Sequence, residues 1–200
     1  MTNATMSTTP RPAALSVDLT AWCNNVGACS ATAVQDGRFN VWGNSFAAEH
    51  LPAAGASVTV DGVPFTMPAL ASGGPDNVRC EGQLVEVPAG RWDWLYLLAS
   101  AERRAEDELA LHFTDGSVDF EPLRLSDFWA APPMFGETAA FESALMHYPH
   151  HVQFGVPATM WCQRVAVVRR APLARVRLPR NVAMHVFAAT LVAPVPGSTR

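Results

Sequence analysis

The sequence predicts an all-β protein: an antiparallel β-sandwich or jelly roll of about eight to ten strands with two long loops. Three observations predict it. Two segments, "SVTVDGVPFTM" (57–67) and "LALHFTDGSVDFEPL" (109–123), place Asp-Gly between alternating apolar residues. That is the strongest short hairpin signal, because both turn residues must tolerate positive φ. Pro and Gly, 16 and 13 in number, punctuate short β-rich runs along the whole chain. No segment sustains the 3.6-residue apolar period of a helix.

The elements follow in order. Residues 1–14, rich in Thr, Ala and Pro, read as a disordered tail, and residues 15–193 as one β-sandwich domain. "VDLT" from Val17 reads as the first strand. Cys23 to Leu51 forms the first long loop. The 57–67 hairpin comes next, then a short strand in "GQLVEVPAG". "RWDWLYLLAS" is apolar on both faces, as a central strand is, with Trp92 and Trp94 expected on one face and in the core. "SAERRAEDE" from Ser100 reads as a helical turn or a polar loop. After the 109–123 hairpin, Ser126 to Pro157 forms the second long loop. "MWCQRVAVV", "ARVRLP" and "AMHVFAATLV" read as the last strands, and residues 194–200 as a second short tail.

Composition narrows the function. With 200 residues, 49% hydrophobic and 16% charged, the chain can bury a core without metals or disulfides. Its net charge of -4 offers no field for nucleic acid or an anionic membrane, so neither is expected as a partner. All 14 basic residues are Arg; Lys and Ile are absent, which fits a GC-rich, actinomycete-type genome. Without Lys, Schiff-base catalysis and a Walker phosphate loop are excluded. There is no apolar run of membrane-spanning length and no charged start followed by an apolar core, so a cytoplasmic location is expected. Cys23, Cys29, Cys80 and Cys162 read as small buried hydrophobes. A Cys23–Cys29 disulfide would require export.

The candidate site residues lie mostly in the two loops. "MHYPHH" gathers His147, His150 and His151 beside Tyr148, and Pro149 argues for an extended loop over a helix. Imidazole titrates near neutrality, so these histidines suit hydrogen bonding or proton transfer better than a metal cage, which would need a third protein ligand from elsewhere. If the chain is an enzyme, one of His147, His150, His151 or Asp127 is expected to move a proton. No metal ligands and no cofactor are assigned. A structural calcium fits many such sandwiches, although no Asp-x-Asp-x-Asp loop is present. Trp42 and Trp129 can stack the apolar face of a pyranose, while Asn24, Asn25, Asn77, Glu49 and Tyr148 supply polar contacts.

One resemblance covers nearly the whole chain, about Val17 to Leu191. "VDLTAWCNNVGACS", "GNSFAAEHLPAAGASVTVDGVPFTMP", "GGPDNVRCEGQLVEVPAGRWDWLYLLAS", "LHFTDGS" and "VRLPRNVAMHVFAATL" resemble the non-catalytic β-sandwich domain attached to actinobacterial glycoside hydrolases such as fucosidase-like enzymes. That domain is similar to galactose-binding-like and carbohydrate-binding-module folds. The resemblance implies a module that recognises a carbohydrate or glycosylated compound without hydrolysing it, as a monomer or a homodimer. The alternative is a stand-alone cyclase or isomerase of secondary metabolism, folding its substrate in an apolar pocket between or beside the sheets and using His/Asp acid–base chemistry. Such use of the fold has an analogue in the calcium-dependent cyclases of indole alkaloid biosynthesis.

Overall fold

A computed structural model describes residues 13–129 and 132–195. The chain is all-β, as its turn chemistry predicts. Six strands form one sheet: β1 (Ala14–Val17), β6 (Val78–Arg79), β8 (Trp94–Ala101), β11 (Thr138–Tyr148), β12 (His151–Ala166) and β14 (Met184–Val192). Its order is β1-β14-β8-β12-β11, with β6 also paired to β14. A second sheet has the order β10-β9-β13-β7, from β7 (Leu84–Gly90), β9 (Ala105–Phe113), β10 (Val118–Leu125) and β13 (Leu173–Arg177). Two small pairs complete the fold: β2 (Ala28–Cys29) with β3 (Phe46–Ala47), and β4 (Ser57–Val60) with β5 (Val63–Thr66).

The six-stranded sheet is buried on both faces. Between the two sheets lie Leu95, Leu97, Leu109, Leu111, Leu123 and Val176 with Val186 and Leu191. On the opposite face, Phe39, Phe46, Phe65, Phe128, Phe187 and Met160 form a second core under the β4–β5 hairpin and the 23–51 segment. Each such side chain contributes about 1.5–3 kcal/mol on leaving water. Residues of β8 alternate between the two cores, and a register shift between Val186 and Ala188 of β14 leaves all nine of its residues buried. The inter-sheet core retains a gap of only ≈ 20 Å³, about room for one water.

Several expectations are revised. Ser126–Pro157 is not a long irregular loop: β11 and β12 make it a hairpin, and "MHYPHH" is its tip, with Tyr148 paired to His151. Pro149 and His150 occupy the turn. Alternation was masked there by irregular register between Ala139 and Phe141 and between Ser143 and Leu145. In "SAERRAEDE" only Glu102–Arg104 is a polar loop, the tight β8–β9 connection; the residues on either side belong to the strands. Trp92 and Trp94 do not share a face. Trp92 precedes β8 and packs on the inter-sheet core, and Trp94 packs on the second core. β1 ends at Val17 instead of beginning there, since the Asp18 carboxylate accepts the Thr20 N–H and turns the chain. Asp61 and Gly62 both adopt positive φ (50° and 76°), whereas at the second Asp-Gly only Gly116 does. Asp115 there accepts the Ser117 N–H in a longer turn. Of the expected tails, 1–14 and 194–200, residues 1–12 and 196–200 lie outside the described residues, while Ala14 belongs to β1 and pairs with Val192.

Candidate functional site

The 23–51 segment is held to the sheet by amides and one carboxylate. Asn24 clamps the Arg79 backbone, its Oδ1 accepting the N–H at 2.7 Å and its Nδ2 donating to the carbonyl at 3.1 Å. Asn25 Nδ2 donates to Arg38 O at 2.8 Å. Buried Asp76 accepts the N–H groups of Gly27 (2.7 Å) and Ala28 (3.0 Å) and the Asn77 amide (2.8 Å). Only glycine fits at 27, because a Cβ there would lie 2.5 Å from Asn77 Nδ2. Burial of Asp76 outweighs these donors and pushes its carboxyl up to about 6.

This scaffold walls a concavity of ≈ 440 Å³. Asn24, Asn25, Arg38, Asn40 and Val41 line one part, and Arg79 of β6 and Glu102 of the β8–β9 turn line the rest. Behind it, His185 of β14 is fully buried. Its Nδ1 lies 2.8 Å from Asn77 Oδ1, its Nε2 lies 3.7 Å from Glu102 Oε1, and Phe39 packs on its ring at 4.3 Å. Burial holds the His185 imidazole below its ordinary value despite Glu102. Burial also acts to raise Glu102, but His185, the Val41 N–H and Arg79 outweigh it and hold the carboxyl low. Three buried polar atoms here have no hydrogen-bond partner: Asn40 Nδ2, Arg79 Nε and His185 Nε2. Buried polar groups are normally paired, so these orphans are places where a water or a local rearrangement would supply the missing partner.

Beside this concavity stand Trp42 and Trp129, 51% and 40% exposed, with ring centroids 6.3 Å apart. The Arg103 guanidinium lies over Trp42 at 5.3 Å. Val41 and Met134 are also exposed, which makes an apolar shelf at the polar pocket's edge.

A second cluster lies across the same loop. His147, at the end of β11, is 1% exposed. Its Nδ1 is 3.3 Å from Cys29 Sγ, which is 3.0 Å from Ser45 Oγ, and its Nε2 is 3.9 Å from Glu49. A neighbouring pair, His50 Nδ1 and Ser143 Oγ, lies 2.7 Å apart. Thiol, imidazole and carboxylate stand in a line, the order used to activate a nucleophile. The environment works against that use. Burial raises the Cys29 thiol and lowers the His147 imidazole, so both are neutral at rest. Cys29 is only 2% exposed.

The structure therefore divides the sequence-predicted residues. Trp42 and Trp129 come together, and Asn24 and Asn25 line the adjacent concavity, though all three polar side chains Asn24, Asn25 and Asn77 are committed to holding the fold. Glu49 joins His147, and Tyr148 stacks on His151 at 5.2 Å. His151 pairs with Gln153, while Asp127 accepts the Trp129 N–H; neither shares a hydrogen-bond partner with His147. Arg38, Asn40, Arg79, Glu102 and His185 were missed. The available signal was His185, an imidazole inside the apolar run "AMHVFAATLV". All four cysteines are free, Cys23 being partly exposed and the others buried. Among the described residues, no three His, Cys, Asp or Glu side chains group to hold a metal ion, and no helix is long and apolar enough to cross a membrane.

Comparison with known proteins adds one finding. The family described as "AziU2-like beta-sandwich domain" matches residues 13–194. A comparison with curated proteins finds no match.

Proposed function

Because the chain belongs to the AziU2-like β-sandwich domain family, we propose that it is a ligand-binding sandwich that recognises a hydroxylated small molecule, a carbohydrate or glycosylated compound, without hydrolysing it. The observation that carries this reading is the pairing of a polar concavity with an aromatic shelf. Asn40 and Arg79 place polar side chains in the pocket wall, Glu102 offers a carboxylate, and Trp42 and Trp129 stand exposed beside them. Sugars need this combination: ring stacking for the apolar face and fixed polar groups for the hydroxyls. The cyclase alternative has no support in the inter-sheet space, which is filled. The ligand site carries no resident cofactor in this proposal, and the chain works in the cytoplasm.

Glycan arrays and calorimetry on the full chain test it. The expected outcome is a binder with a dissociation constant from micromolar to millimolar, about -4 to -8 kcal/mol. Trp42→Ala and Trp129→Ala should each weaken it by at least about tenfold, or about 1.4 kcal/mol. Silence across common pyranosides, or affinity unchanged in both variants, would overturn the reading.

A further inference from the structure

The hydrogen-bond geometry around His185 fixes its tautomer. Asn77 Nδ2 faces three acceptors: the Asn25 carbonyl at 3.1 Å, Asn25 Oδ1 at 3.0 Å and the Asp76 carboxylate at 2.8 Å. That end of the amide must be the donor, so Asn77 Oδ1 is the atom facing His185 Nδ1. An amide oxygen only accepts, and His185 therefore carries its proton on Nδ1. In the neutral ring Nε2 is then a bare lone pair, and the group opposite it at 3.7 Å is another acceptor, Glu102 Oε1. Two acceptors face each other with no hydrogen between them, the imidazole fully buried and the carboxylate 11% exposed at the pocket wall.

We propose that His185 and Glu102 are a proton-binding pair at the back of the pocket, and that the proton they take from solvent sets the position of the pocket wall. With the proton present, imidazolium and carboxylate can close from 3.7 Å to the usual 2.7–2.9 Å of a charge-assisted bond. Without it, the facing lone pairs hold them apart. The movement is transmitted because the other Glu102 oxygen accepts the Val41 N–H at 3.1 Å, and Phe39 of the same loop lies on the His185 ring. Trp42 follows Val41, so closing the pair draws the aromatic shelf toward the polar wall. The remaining groups that face the pair are few. Arg79 approaches from β6, Val182 contributes a backbone group next to β14, and Asp76 acts through Asn77. Asp36 and Arg38 line the same concavity. The effect on ligand affinity rests on the proposed function; the shared proton does not.

Imidazole ¹⁵N spectra of the full chain across pH test the pair without any ligand. At alkaline pH His185 should show hydrogen on Nδ1 and a bare Nε2. On acidification Nε2 should gain its proton in one step, and the Val41 amide and Trp42 indole signals should move with the same midpoint. Glu102→Gln, which removes the charge, should lower that midpoint by at least one pH unit, a tenfold loss of proton affinity, and should leave the Val41 signal flat. Hydrogen on Nε2 at alkaline pH, or a Val41 amide indifferent to the His185 step, would overturn the proposal in the unaltered protein, even if Glu102→Gln failed to fold. An unchanged midpoint in a folded Glu102→Gln would do so as well. Coupled titration with silent sugar binding would sink the proposed ligand alone; sugar binding without coupled titration would sink the pair alone.

Discussion

Two buried histidines grip one loop from opposite sides, and their surroundings differ. On one side, His185 meets Phe39 and, through Glu102, Val41. On the other, His147 pairs its backbone with Ser45 in both directions and its ring with Cys29. The His185 cluster is built on charge: Asp76 and Glu102 both lie within it. Around His147 the close partners are a thiol and a hydroxyl, and the Glu49 carboxylate stands 3.9 Å away and half exposed. The contrast teaches what burial does to an imidazole. Burial holds both imidazoles below their ordinary value, but at His185 a carboxylate facing the bare nitrogen gives an added proton a second partner.

The comparison breaks most sharply at the carboxylates. Asp76→Ala would orphan the Gly27 and Ala28 N–H groups and loosen Asn77 beneath His185. At about 1–3 kcal/mol per buried unsatisfied donor, the loss should reach about 3 kcal/mol or more, read as a lower urea midpoint. A change below about 1 kcal/mol would mean that the charged cluster is not what anchors the loop.

Acid should act on both sides, and the sign follows from burial. His147 and His185 are held below the ordinary imidazole value of 6.5, so the unfolded chain binds their protons first. Their stabilisation is fully present above pH 6.5 and is lost as pH falls through the folded values. Asp76, raised to about 6 from 3.8, works in the opposite direction: it costs stability above pH 6 and recovers it toward pH 4. Comparing wild type with His147→Asn cancels the Asp76 part. The variant's stability should fall less steeply with acidification below pH 6.5, by up to about 1.36 kcal/mol per pH unit for the one proton removed. Parallel urea-midpoint curves for the two proteins would remove His147 from the account. The smallest effect is expected at Glu49, whose side chain is 47% exposed. Glu49→Gln should change stability by less than about 1 kcal/mol, with the difference shrinking in high salt. A larger, salt-independent loss would show that Glu49 belongs to the buried cluster after all.

Much of this architecture is legible in the chain. Asp61-Gly62, the two-faced apolarity of "WLYLLASA" and the wholly apolar stretch around Phe187 each report a local constraint that one segment satisfies alone. The β11–β12 hairpin was hidden because its register shifts scramble the alternation that would have revealed it. The pocket was less legible for a related reason. Asn24, Asn40, Arg79, Glu102 and His185 come from four separate stretches, and nothing local distinguishes a polar loop residue that meets water from one that meets a partner across the fold. Trp42 and Trp129 could be singled out as aromatics in loops, but their approach to 6.3 Å depends on tertiary folding.

The position of β14 also has a consequence for how the protein is made. This strand sits between β1 and β8, so the large sheet pairs the first and last strands of the described residues at one edge. Such pairings carry the longest loop-closure entropy and form late. A nascent polypeptide still threading the ribosome lacks this strand, and β8 has no partner along its β14 edge until Met184–Val192 emerges from the exit tunnel. The large sheet cannot assemble before β14 has been made, and a chain that stalls ahead of that strand is a substrate for chaperones and proteases.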